Sequence, residues 1–245
     1  MTTRAPLFLL ALLCLVLVPA VAQSTDQADR IAASFVLALG RVPTAVEAAQ
    51  WTGKGKLAIA ELVAQLQPQG DDAKQAVAVK ACLDACGREP AADELRAWLV
   101  GSPSYSGLMK QHVAWLEAHP KDYALVVERA YQLVMQRHAF AEELDYWKAQ
   151  PALSFVLLNA CIENWARRNA PGLMATSGVA TASVNSMWLT TVSLAPAVAT
   201  EARVAAGLVH AGNADLAAAL GRNIIAAGGD AVASAGGVHF VAAGR

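Results

Sequence analysis

The stretch CGREPAADELRAWL, residues 86–99, decides how this chain is read. Gly87 follows an apolar run in helical register, and glycine accepts the left-handed backbone that ends a helix. Pro90 prevents the helix from continuing. Leu95 and Trp98 then fall one turn apart, which predicts a short second helix over 91–100 with those two residues on one face. A relative lies on either side: LGRVPTAVEAAQW at 39–51 and MQRHAFAEELDYW at 135–147. In each copy Arg is followed six residues on by Glu and ten residues on by Trp, giving Arg41/Glu47/Trp51, Arg88/Glu94/Trp98 and Arg137/Glu143/Trp147. Arg sits where one helix ends and Glu where the next begins, so each charge opposes a helix dipole. The pair is expected to lock a corner, and the Trp to pin the short helix into a core. Thr44 with Glu47 reads as a capping box. Ala91 takes the place of that Thr in the second copy, which predicts a weaker helix start there.

Working outward, an apolar helical stripe precedes each corner: Ile31, Phe35, Ala38 and Leu39; then Ala78, Cys82 and Ala85; then Val127, Tyr131, Val134 and Met135. A third helix follows each corner, at 57–66, 107–118 and 153–168. The result is three units of three helices, about 25–70, 72–119 and 121–169, at a period of roughly 48 residues. A unit this small cannot bury its own apolar face, so the units are expected to stack. The expected fold is mainly α, with a helical repeat domain over 23–170.

Beyond residue 170 charge almost disappears. Residues 171–204 read as a linker, and 205–245 as a tail of octads: AAGLVHAG, NADLAAAL, GRNIIAAG, GDAVASAG, GVHFVAAG. Gly-Gly between short apolar runs favours tight turns. A β-meander or a short solenoid would carry Ile224, Val232 and Phe240 on one face and Ile225, Ala233 and Val241 on the other. A flexible low-complexity tail is the competing reading.

At the other end, Arg4 precedes an apolar run from Leu7 to Pro19, followed by Ala20-Val21-Ala22. That pattern predicts a secretory signal peptide over 1–22, too short for a comfortable membrane span. The expected mature chain is exported, to the periplasm, the cell surface or the medium, with no transmembrane span. Without Arg4, 18 basic residues of the 19 face 20 acidic ones, and near-neutrality argues against nucleic acid as partner.

Three cysteines remain, Cys82, Cys86 and Cys161. Cys82 and Cys86, four apart on one helix, have Cβ atoms about 5–6 Å apart, beyond the ~3.5–4.5 Å of a disulfide. Cys161 could bridge to either one; alternatively, Cys82 aligns with Phe35 and Tyr131, and Cys86 with Leu39 and Met135, which makes them core positions. No close Cys or His pair suggests a metal, and no cofactor fingerprint, phosphate loop, HExxH or nucleophile elbow is present. No catalytic residue is therefore assigned.

The Gly-Arg-x-Pro corner with its later Trp resembles a bacterial extracellular helical repeat domain, distantly like the phycobilisome linker domain. Leu39, Gly40, Arg41, Pro43 and Trp51 carry the resemblance in the first unit; Gly87, Arg88, Pro90, Leu95 and Trp98 in the second; Arg137, Leu144, Tyr146 and Trp147 in the third. The family's Asp is replaced by Thr44, Ala91 and Phe140, and its Gly by Glu47, Glu94 and Glu143. The resemblance implies an all-helical exported protein without catalytic residues. The expected function is a non-enzymatic structural or interaction role at the cell envelope, the tail binding a second copy or an envelope partner. A glycan- or peptidoglycan-binding module using exposed Trp51, Trp98 or Trp147 is the alternative, and an enzyme without a recognisable motif is the third.

Overall fold

A computed structural model describes residues 26–101, 104–170, 197–198, 201–202, 231–233 and 240–242. The signal peptide reading, most of the linker, and the octads apart from 231–233 and 240–242 lie outside the described residues. The chain is mainly helical. Helix α1 spans 26–39, followed by α2 (Ala45–Thr52), α3 (Ile59–Gln65), α4 (Asp71–Cys86), α5 (Ala92–Leu99), α6 (Tyr105–Ala118), α7 (Pro120–Met135), α8 (Ala141–Lys148) and α9 (Phe155–Asn169). Residues 197–198 and 201–202 are also helical. Among the described residues, no helix is long and apolar enough to cross a membrane.

Each long helix ends for a visible reason. Gly40, Gly87 and Gln136 terminate α1, α4 and α7 in the left-handed region, at φ 69°, 66° and 52°. A Cβ on Gly40 would lie 2.6 Å from the Tyr105 ring, and one on Gly87 would lie 2.7 Å from the Phe155 ring. The first residues of α6 and α9 thus seat their rings directly on the glycines that end α1 and α4. Gln136, which keeps its Cβ, is exposed.

Helix α4 packs chiefly on α6 and α7 on α9, with α5 and α8 as short side pieces. Helices α4 and α9, and α6 and α7, join these groups. One continuous core runs from Val77 to Ala166 and includes Tyr105, Met109, Val127, Leu158 and Ile162. A smaller cluster gathers Ile31, Phe35, Ala38 and Leu66. Leu39 packs against both clusters.

Two sequence expectations need correction. Cys161 is not bridged to Cys82 or Cys86: all three are buried free thiols. Cys82 and Cys86 face each other across one turn of α4. Their mutual hydrogen bond raises the Cys82 thiol's pKa and lowers that of Cys86. Burial alone pushes Cys161 up to about 12. They are core residues, the other reading open from the sequence. The second correction concerns the tail. Strand β1 (Ala231–Ala233) pairs antiparallel with β2 (Phe240–Ala242), setting Val232 opposite Val241 and Ala233 opposite Phe240. Octad translation put Val232 and Phe240 in one row. Antiparallel pairing instead reflects each residue through a point between 236 and 237, so residues of opposite parity meet and the expected rows do not form.

Candidate functional site

The residues singled out by spacing form three corners with the same bonds. At the first, Arg41 Nη2 donates to Glu47 Oε1 (2.7 Å) and Nη1 to Glu47 Oε2 (2.9 Å) and to the Val42 carbonyl (3.2 Å). Thr44 N donates to Glu47 Oε2 (2.8 Å), and Glu47 N to the Thr44 hydroxyl (3.3 Å), completing the expected capping box. At the second, Arg88 reaches both Glu94 oxygens at 2.7 and 2.8 Å and the Glu89 carbonyl at 3.0 Å, while Ala91 N donates to Glu94 at 2.8 Å. At the third, Arg137 reaches both Glu143 oxygens at 2.6 and 2.7 Å and the His138 carbonyl at 2.8 Å, while Phe140 N donates to Glu143 at 2.8 Å.

One carboxylate therefore does two jobs. It receives a planar guanidinium fork, a geometry Lys cannot reproduce, and it satisfies the first orphan amide of the short helix. Ala91 and Phe140 supply no capping oxygen, so their corners keep only one half of the capping box, the Glu carboxylate on the cap amide, in keeping with the weaker helix start expected at Ala91. The Arg hydrogen bonds keep Glu47 and Glu94 down at about 2, and lower Glu143 as well.

The corner Trp residues point inward. Trp51 meets Phe35 edge-on at 6.3 Å, with Lys54 Nζ 3.6 Å from its ring centroid. Trp98 meets His112 edge-on at 4.7 Å. Trp147 is buried and its indole N–H donates to the Tyr131 hydroxyl at 3.2 Å. Trp51 and Trp98 are partly buried and pack against the two core clusters, and Trp147 belongs to the main core itself. Among the described residues, the exposed indoles are Trp115 (55 %) and Trp165 (50 %). Trp115 is held in place: its N–H donates to Asp122 at 3.1 Å and its ring stacks on His119 at 3.5 Å.

A buried polar group escaped the sequence reading. Asp84 is enclosed, with Oδ2 accepting from Tyr105 Oη (2.7 Å) and Lys80 Nζ (2.8 Å), and Oδ1 buried without a partner. Burial raises its pKa, against the pull of Lys80 and Tyr105. A signal existed: the aligned residues in the other units are Leu37 and Leu133. Lys80 and Asp84 stand at the edge of an open cleft of about 560 Å³ along one face of α4. His112, whose Nε2 is also sealed from solvent, is held neutral by burial, its pKa down at about 4. Tyr105 is wholly buried, and burial pushes its hydroxyl well up. Asp84, Tyr105 and Lys80 bond to one another, while His112 packs separately against Trp98. Among the described residues, no group of three His, Cys, Asp or Glu side chains could hold a metal ion. No family model, no curated protein and no solved structure matches the chain.

Proposed function

We propose that this chain is a non-enzymatic exported scaffold of the cell envelope or extracellular matrix, built as three stacked three-helix repeats whose C-terminal tail engages a second copy or an envelope partner. The observation that carries this reading is where the recurring chemistry goes. Arg, Glu and Trp recur at one spacing, and in every corner they are consumed by the joint itself. Stacking is supported by the seats Gly40–Tyr105 and Gly87–Phe155, each of which joins the end of a unit's first helix to the start of the next unit's third helix. The corner motif also supports a degenerate relationship to the bacterial helical repeat domain that it resembles. For the tail, an almost charge-free strand pair has edges suited to strand addition. Deleting residues 205–245 is expected to abolish assembly in sedimentation and retention at the surface. Unchanged sedimentation and unchanged location would overturn the proposal.

A second reading rests on Trp115. A surface indole fixed by Asp122 and His119 offers a rigid face for stacking on a sugar ring. Titration with peptidoglycan fragments should then shift Trp emission, and Trp115→Ala should remove the shift. Equal shifts in the variant would eliminate this reading.

A further inference from the structure

Helix α1 is enclosed in a way its counterparts are not. Residues 33–38 are all buried, including Ala33 at 0 %, Val36 at 1 % and Leu37 at 1 % exposure. At the matching positions α4 carries Lys80, Leu83 and Asp84, of which the first two are partly exposed, and α7 carries Arg129, Gln132 and Leu133, none of them buried. The sequence agrees: ASFVLAL in α1 is apolar on nearly every side, where α4 has KACLDAC and α7 has RAYQLVM. A helix apolar all round must be covered all round. On α4 the matching face lines the open cleft; on α1 something fills it.

Two helical pieces, 197–198 and 201–202, bring Glu201 to α1 and α3. Val198 and Ala202, four positions apart in sequence, are both completely buried. Between them in the chain, Glu201 pairs with Arg30 of α1 through one carboxylate oxygen. Its other oxygen accepts the Ile59 amide of α3 at 3.0 Å. Arg30, Ala33 and Leu37 fall on one side of α1 by helical spacing, so the ion pair puts Glu201 on the side of α1 that carries Ala33 and Leu37, the residues matching Lys80 and Asp84 of the α4 cleft.

We infer that the α1 face bearing Arg30, Ala33 and Leu37 is a docking surface whose partner is the pair of short helical pieces 197–198 and 201–202 of the same chain, apolar at Val198 and Ala202 and acidic at Glu201. The segment covers the side of the first helix that the corresponding helix α4 leaves open. This inference concerns the array alone and stands whether or not the tail assembles.

Hydrogen exchange on the full chain tests it. Val198→Asp should raise exchange at amides 33–38 and 59–62 by tenfold or more and leave α7 and α9 unchanged, because sub-global openings are local to the contacts removed. Glu201→Gln keeps the shape and weakens the charged hydrogen bonds, so a smaller rise at the same amides is expected; it serves if Val198→Asp fails to fold. A synthetic peptide of natural sequence 195–204, added to the Val198→Asp chain or, if that fails to fold, to the Glu201→Gln chain, should restore protection at 33–38. Wild-type exchange at 33–38 in both variants would overturn the inference, as would a peptide that restores nothing.

Discussion

Replacing Gly87 by Ala isolates the contact on which the stacking rests. At φ 66°, a side chain costs about 1–2 kcal/mol from backbone sterics. The new Cβ would also sit 2.7–2.8 Å from three atoms of the Phe155 ring. That ring is buried and closes the main core, so it cannot swing away; overpacking of this kind costs about 1–3 kcal/mol. Lower entropy of the unfolded Ala chain offsets about 0.4–1 kcal/mol. The net expected loss is about 2–4 kcal/mol, a fall in Tm of roughly 5–15 °C for a domain of this size. Urea denaturation of the four chains of a double-mutant cycle with Phe155→Ala separates the two contributions. With the ring gone, Gly87→Ala should cost about 1–2 kcal/mol less than with it present. Gln136→Gly, at the equivalent left-handed position with no ring on it, should be neutral or stabilise by up to about 1 kcal/mol. A Gly87→Ala cost below about 1 kcal/mol, or an equal cost with and without Phe155, would refute the packing argument.

Four further outcomes are expected. The corner carboxylates have pKa values depressed from 4.5 to about 2 in Glu47 and Glu94, and lowered in Glu143. Their stabilisation is therefore complete above pH 4.5 and lost as pH falls from there toward 2; the triple variant Glu47→Gln, Glu94→Gln, Glu143→Gln should flatten the stability–pH curve in that window, by about 0.5–1 kcal/mol per corner after solvent screening. Tyr105→Phe should cost about 1–2 kcal/mol because the buried Asp84 loses a donor, and Asp84→Leu should cost about as much because the wholly buried Tyr105 hydroxyl loses its acceptor; the double variant Tyr105→Phe, Asp84→Leu, which strands neither group, should cost less than the two single losses added, and chemical denaturation of the three variants checks this, additive losses contradicting it. Alkylation followed by mass spectrometry should modify Cys82, Cys86 and Cys161 only after unfolding, and a bridged pair would contradict the burial argument. With Trp188 replaced by Phe, the double variant Trp115→Phe, Trp165→Phe should lose most acrylamide-quenchable emission, while Trp147→Phe should leave the quenchable fraction nearly unchanged.

The parts of this fold that are local in sequence were legible. Arg, Glu and Trp at offsets of six and ten announce a corner because the fork and the carboxylate need only a few residues to meet, and helix ends fell where Gly, Pro and capping residues marked them. What was not legible depends on distant partners. Nothing near Gly40 or Gly87 says that Tyr105 or Phe155 will sit on it. Asp84 was visible as a departure from Leu37 and Leu133, but its meaning needed Tyr105 beside it. Glu201 lies in a low-charge stretch that composition assigns to a linker, and only α1's lack of a polar side hinted that such a segment had work to do. In the tail, period and parity parted company because translation by eight residues and reflection about a turn put different residues opposite one another.

The corners also say something about the order in which the chain can organise itself. Every bond in a corner closes within six residues, so its loop-closure entropy is small and each can form independently of the others. The glycine–aromatic seats join residues many tens of positions apart and cannot form until the helices between them exist. On the proposed stacking, folding is expected to run in two tiers, corners first as local contacts and stacking afterwards. Substitutions in a corner should chiefly slow folding, and substitutions at Gly40 or Gly87 should chiefly speed unfolding.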